Sequence, residues 1–190
     1  MPSDYVNVGF TGAGGTGKTE LAKRVAEYLG VPFLGSPVRK VTAELTAEMK
    51  EPIAQNLTPQ EQWDVQRHIF IAKFDQDLRC QGRVTDRILL DAYSYSSLFC
   101  WREIVDPVVE AFEKLVVENY ATYKAVFYAP VESFLSQQDS FRLTGLAYAH
   151  TLDAVLRGHA ARLGLKLIIL PPGSVEVRYK FVLDLLEHGR

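Results

Sequence analysis

Cysteine is scarce in this chain. Cys80 and Cys100 are the only two in 190 residues, and they form no C-x-x-C pair. That excludes a disulfide scaffold and a cysteine-based zinc site, and it suits a reducing compartment, so a cytoplasmic location is expected. His68, His150, His159 and His188 show no metal-ligand spacing. No apolar run approaches the ~20 residues that cross a bilayer, and no basic leader with a long apolar stretch opens the sequence, so neither a membrane span nor a signal peptide is expected. An excess of one charge is also missing. The 21 Lys plus Arg against 23 Asp plus Glu leave a formal net charge of -2, which argues against a general nucleic-acid binder and against a stable nucleic-acid complex. Repeats and low-complexity blocks are absent. With 47% hydrophobic and 23% charged residues, disorder and collagen-like structure are excluded, and one domain over 1–190 with a sizeable core is expected.

What is present is an alternation of short apolar runs and amphipathic stretches. Tyr5 to Thr11 reads as a buried strand, and Val31 to Leu34 as a second. Leu21, Val25 and Leu29 form an i, i+4 row that Gly30 would end as a C′ glycine. Pro37 to Met49 looks helical. Thr58-Pro59-Gln60-Glu61 is a capping box with proline at the first helical position. It predicts a helix through about Gln81 with Phe70, Phe74 and Leu78 on one face. Asp106-Pro107 opens another helix. Ala125 to Tyr128 and Lys166 to Leu170 are strand-like, and Ser174 to Glu187 closes the chain as an amphipathic helix. Strands alternating with helices predict an α/β fold: a three-layer sandwich of about five parallel strands with helices on both faces.

One motif carries chemistry. Gly12-Ala13-Gly14-Gly15-Thr16-Gly17-Lys18-Thr19 fits G-x-x-x-x-G-K-[ST] at every fixed position. A chance fit in a chain of this composition is on the order of one per cent, and here a strand precedes the motif and an amphipathic helix follows it. Glycines let successive backbone N–H groups turn inward onto phosphate oxygens. The helix from Lys18 adds its positive end. Lys18 would reach the β- and γ-phosphates and Thr19 would ligate Mg²⁺. The expected cofactors are therefore ATP and Mg²⁺.

Other signatures are lacking. There is no N-K-x-D guanine motif, no L-S-G-G-Q, and no Asp-Glu dipeptide of the kind that ends a strand in AAA+ motors. A small-molecule kinase needs an acid near the metal, arginines for substrate phosphate and a lid arginine. Gly82-Arg83-Val84-Thr85-Asp86-Arg87 offers the first two: a strand through Arg83 to Thr85 would present Asp86 beside the P-loop, with Arg87 toward the substrate phosphate. Ile88-Leu89-Leu90-Asp91 also reads as an apolar strand followed by an acid, so the residues leave both Asp86 and Asp91 open. Ser136 to Thr144 is polar and glutamine-rich, without apolar period, which suits a short lid over about 132–145.

Taken together, the P-loop, Thr85-Asp86-Arg87 with Asp91 and Tyr93, and Gln138-Asp139-Ser140-Phe141-Arg142 resemble the P-loop nucleoside and nucleotide kinases. The resemblance is to thymidylate-kinase-like proteins of bacteria and phages, a group that includes nicotinamide riboside kinase domains. It implies that the Asp-Arg pair ends the third strand. That favours Asp86 as the catalytic carboxylate and metal partner, with Arg87 as a phosphate ligand and Asp91 beside the substrate. It also implies that Arg142, in a D-x-x-R segment with Asp139, closes over the ATP phosphates or stacks on adenine. The backbone of Pro171-Pro172-Gly173-Ser174 would contact adenine, with Gly173 at its centre. Arg39 would line the acceptor site, and Gln66, on a helix with Gln62, Trp63 and Phe70, would bond a base edge. The activity implied is ATP-dependent phosphoryl transfer to a small nucleotide, first a deoxynucleoside 5′-monophosphate. A nucleoside or nicotinamide riboside acceptor is the alternative, and a DNA-associated ATPase or polynucleotide kinase the alternative of another class. A homodimer through the apolar segments Leu98 to Val105 and Val108 to Val117 is a further expectation.

Overall fold

The computed structural model describes residues 6–49, 57–100, 102, 105–131 and 145–188. The elements run β1 (Asn7–Thr11), α1 (Lys18–Leu29), β2 (Phe33–Leu34), α2 (Val38–Met49), α3 (Pro59–Arg79), β3 (Arg83–Asp86), α4 (Leu89–Cys100), α5 (Asp106–Tyr120), β4 (Ala125–Tyr128), α6 (Leu146–Arg162), β5 (Ile168–Ile169) and α7 (Val175–His188). The strands form one sheet in the order β2-β3-β1-β4-β5, and every pairing is parallel. The α/β expectation of about five parallel strands is met. Among the described residues no helix is long and apolar enough to cross a membrane, and Cys80 and Cys100 form no disulfide.

Both faces of the sheet are covered, and the strands show it residue by residue. In β4, Val126 and Tyr128 enter the core under α3, α4, α5 and α6, while Phe127 enters the core under α1 and α7. In β1, Val8 and Phe10 face α1 and α7, and Phe10 stacks on Phe127 at 5.5 Å. The period of two sends Gly9 to the opposite face. A Cβ there would stand 2.6 Å from Ile88 Cγ2, so this glycine lets the start of α4 lie against the central strand.

Local signals set several of these boundaries. Thr58 caps α3 reciprocally with Glu61, as the capping box requires. Gly30, at φ 63°, ends α1 with its N–H turned back to Ala26 and Glu27. The buried face of α3 differs from the expected one. Phe70 is buried and stacks on Phe112, but Leu78 is 63% exposed. The row that turns inward is Val65, Ile69, Lys73 and Asp77. Two charged residues continue an apolar stripe there, which no hydropathy pattern foretells.

They are tolerated because they are paired. Lys73 Nζ donates to Asp77 Oδ1 at 2.8 Å and to Thr85 Oγ1 in β3. Asp77 also meets Arg83 Nε at 3.3 Å and accepts from Asn119 at 3.1 Å and from the Tyr123 hydroxyl at 2.9 Å. Burial lowers the Lys73 pKa against the pull of Asp77. Thr85 in turn donates toward the backbone carbonyls of Leu34 and Arg87, so the network braces β3 where it approaches its functional end. Replacing Asp77 by Ala strands two buried cations. The expected loss is about 3–5 kcal/mol in urea unfolding, and a loss under about 1 kcal/mol, the size of an exposed pair, would show that the network does not brace β3.

Candidate active site

The P-loop leaves the end of β1, in the middle of the sheet. Gly12 has φ 126°, and a Cβ there would stand 2.5 Å from the carbonyl oxygen of Ala129. Only glycine fits that conformation and that approach. Gly15 and Gly17 each have φ 79°, and Gly17 leads directly into α1. Ala13 is fully buried and packs with Val131, Ala149 and Leu152, so α6 supports the loop from outside. The Thr16 hydroxyl donates to the Ala13 carbonyl at 3.1 Å. Lys18 is 5% exposed, and its ammonium donates to the Ala13 carbonyl at 2.5 Å and to Thr16 Oγ1 at 2.9 Å. Loop glycines, the α1 N-terminus and one buried ammonium thus share a small volume, with an electrostatic preference for anions.

The parallel register carries the acid to this loop. Phe10 pairs with Asp86, so the last residue of β3 lies beside the start of the P-loop. The Thr19 hydroxyl, in the first turn of α1, donates to Asp86 Oδ2. Ile88 and Leu89 do not extend a strand. The chain reverses at Arg87, whose φ of 73° is the one positive value at a non-glycine residue among those described. Left-handed backbone at a bulky residue is uncommon and strained. It is held by the Arg87 N–H donating to the Phe10 carbonyl at 2.9 Å.

Asp91, expected beside the substrate, lies against the P-loop. It sits in the first turn of α4, and its side chain is 1% exposed. Oδ1 accepts from the Gly12 N–H at 3.3 Å and faces Arg87 Nη1 at 3.4 Å, while Oδ2 accepts from the Ile88 N–H at 2.9 Å. Burial pushes its carboxyl pKa up, opposed by Arg87 and Lys18. The reason is local. A carboxylate three residues after Ile88 reaches back to the N–H that opens the helix, as the glutamate of a capping box does, and the other oxygen is then presented to the P-loop.

Arg87 lies between this carboxylate and an aromatic wall, with its guanidinium 5.1 Å from the Tyr95 ring centroid. Burial works against its charge, but Tyr95, Asp91 and Asp86 outweigh that and raise the guanidinium pKa above its ordinary value. Arg39 is exposed on α2, and Gln66 is half-buried on α3. Trp63 and Phe70 both pack on Phe112, which makes them core more than base-stacking surface. Arg142 and Asp139, with the rest of 132–144, lie outside the described residues. Gly173 has φ 123° and turns the chain after β5 into α7. One residue at the loop was not foreseen: Arg178 of α7 donates to the Thr16 carbonyl at 2.7 Å. In sequence it reads as an ordinary polar position on an amphipathic helix.

Asp91→Ala would leave the Gly12 and Ile88 N–H groups buried without acceptors, at about 1–3 kcal/mol each. The unliganded variant is therefore expected to lose at least about 2 kcal/mol by chemical denaturation. Unchanged stability of that variant would return Asp91 to a role in substrate contact alone.

Comparison with known proteins agrees with this geometry. A family described as an AAA domain matches residues 7–178. No curated protein matches the chain. Among solved structures, deoxyadenosine kinase from M. mycoides, with products dCMP and a flexible dCDP bound, superposes with a TM-score of 0.67 at 13% identity, covering 97% of this chain and 100% of its own. A NadR protein in complex with NR gives 0.66 at 20% identity, over 96% of this chain and 50% of that one. Thymidylate kinase from Ehrlichia chaffeensis gives 0.59 at 15% identity, over 96% and 98%. The AAA description concerns the domain. The Asp-Glu pair whose absence spoke against a motor is absent from β3 as well, which ends on Asp86 followed by Arg87. Since the family match runs from β1 to the first turn of α7 and takes in every strand of the sheet, the chain belongs to this AAA-domain family, with a P-loop fold of the nucleoside and nucleotide kinase type.

Proposed function

We propose that this chain is an ATP- and Mg²⁺-dependent phosphotransferase that phosphorylates a small nucleotide, with a deoxynucleoside 5′-monophosphate as the preferred acceptor. The observation that carries the reading is the Thr19–Asp86 contact beside buried Lys18. A P-loop hydroxyl and a strand-end carboxylate already stand within one hydrogen bond of each other. That is the hard-oxygen donor set Mg²⁺ takes when phosphate and water complete its shell. No cluster of three His, Cys, Asp or Glu side chains able to hold a metal occurs among the described residues, and Mg²⁺ held this way needs none. Bound there, it would offset charge on the β- and γ-phosphate oxygens.

The chain's own groups do the rest. Backbone N–H groups between Gly12 and Thr19 hold the phosphates in one orientation. Lys18 turns its ammonium from the Ala13 carbonyl to the β- and γ-oxygens. Asp86, 7% exposed at the strand end, accepts the acceptor proton or orders water. Arg87 neutralises charge on the acceptor side, and Arg39 reaches the same acceptor from α2. Arg142 closes from the segment 132–145, and the backbone at Gly173 borders the adenine. Little covalent chemistry is asked of the protein, because such transfer is accelerated by positioning and preorganised charge.

A nucleoside acceptor is the second reading, and one observation favours it. Arg87 already faces Asp91 at 3.4 Å, which offsets part of the charge that a dianionic phosphate would use. A protein acting on DNA is disfavoured by the net charge of -2.

Two measurements test these readings. Lys18→Ala deletes a charge-assisted phosphate contact and should lose at least about 10²-fold of turnover, so transfer near the wild-type rate would remove the P-loop assignment. Arg39→Ala and Arg87→Ala should each raise KM for a monophosphate by about ten- to a hundredfold with ATP affinity little changed. If only nucleosides are phosphorylated, and Arg39→Ala leaves their KM unchanged, the acceptor is a nucleoside.

A further inference from the structure

Arg178 is 4% exposed, yet no carboxylate meets its guanidinium among the described residues. Nε donates to the Pro171 carbonyl at 3.1 Å, and Nη1 donates to the Thr16 carbonyl at 2.7 Å. Nη2 is buried without a hydrogen-bond partner. Lys73 and Arg83 are balanced differently, by a shared Asp77, and half-buried Arg87 has Asp91, while buried Lys18 stands in the phosphate loop itself. Burial alone lowers the Arg178 pKa, with no neighbouring charge raising it. A buried cation without a counter-ion is costly for a fold, so its survival against the phosphate loop calls for an anion as counterpart.

Its bonds have a geometric consequence. In a trans peptide the C=O and the next N–H point in opposite directions, and the described chain has no cis bond. Drawing the Thr16 carbonyl toward Arg178 turns the Gly17 N–H away from it. Val175 and Arg178 border Gly17 on that side at ordinary contact distance, a Cβ there lying 3.9 Å from Val175 and 4.0 Å from Arg178 Nη1. The same guanidinium holds the Pro171 carbonyl, so the turn after β5 and the P-loop are fastened to one group.

We infer that Arg178 is a positioning residue of the nucleotide site: from behind the P-loop it fixes the Thr16–Gly17 peptide, and its uncompensated charge is balanced when a polyphosphate binds. The residue touches no substrate and acts through the loop. This rests on the nucleotide-binding reading above and adds to it a source of phosphate affinity outside the motif.

The test compares wild type with Arg178→Met, Arg178→Lys and Lys18→Ala. Dissociation constants for adenosine, AMP, ADP and ATP are measured by calorimetry, together with the unfolding temperature of the unliganded protein. Arg178→Met should weaken ATP and ADP about ten- to a hundredfold while adenosine changes less than about threefold. Its unliganded unfolding temperature should not fall, because an unpaired buried charge has been removed. Arg178→Lys should recover part of the loss. Equal weakening of adenosine and ATP, or a lowered unfolding temperature with unchanged ATP affinity, would make Arg178 a structural residue only and overturn the inference. Should Arg178→Met not fold, ATP affinity kept in Arg178→Lys supports a charge role, and equal weakening of ATP and adenosine in a folded Arg178→Lys opposes it. If wild type binds no nucleoside triphosphate, the nucleotide reading itself fails. If Lys18→Ala loses ATP while Arg178→Met keeps it, only this inference fails.

Discussion

The Asp91 carboxylate takes the Gly12 N–H with one oxygen and the Ile88 N–H with the other. Through it, the first residue after β1 is fastened to the turn after β3. Both N–H groups sit where the sheet is covered on both faces, so water cannot replace the acceptor, and each unsatisfied group would cost about 1–3 kcal/mol. The position of the P-loop, the left-handed backbone at Arg87 and the side-by-side placement of Thr19 and Asp86 all depend on that junction. Parallel pairing brings the two strand ends level, and the buried carboxylate makes the junction a single arrangement.

Charge is distributed around this junction in layers. Lys73 and Asp77 lie behind β3 and meet it at Thr85 and Arg83, and the Thr85 hydroxyl also touches the Arg87 carbonyl. Asp86, Arg87 and Asp91 lie at the strand end, and Arg178 lies behind the loop. Several of these groups cannot touch a ligand. They hold the strand end and the loop in fixed positions, and preorganised charge of this kind lets a site keep its geometry without reorganising when charge develops. The cost is carried by buried ion pairs, which are poor sources of stability in themselves and are kept here where backbone direction has to be fixed.

Local chemistry made much of this legible in advance. The P-loop was readable because its glycines answer positive φ and close approach at named positions, with Gly12 the clearest. The start of α3 followed from Thr58 and Glu61, and β4 from an uninterrupted apolar run. Other elements were hidden for physical reasons. The first turns of α4 are buried on every side from Leu89 to Ser94, so they show no amphipathic stripe and imitate a strand. In α6 the inward face mixes Leu152 and Leu156 with Asp153, whose carboxylate accepts the buried Tyr128 hydroxyl, and an acid in the stripe conceals the period. The inward row of α3 ends in Lys73 and Asp77 for the same reason.

The sequence by itself determined the phosphate loop, the alternation that makes a parallel sheet, and the residue types available at the strand ends, because these depend on backbone freedom, periodicity and neighbours within a few positions. The roles of those residue types were decided by the tertiary structure. Asp86 and Asp91 are equivalent as text. The strand ends at the first, and the helix turns the second inward onto Gly12. Arg178 stands 162 positions from the carbonyl it holds, and nothing local distinguishes it from a solvated arginine. Burial, and the partners that burial requires, arise only when distant segments are brought together, so they cannot be read from either segment alone.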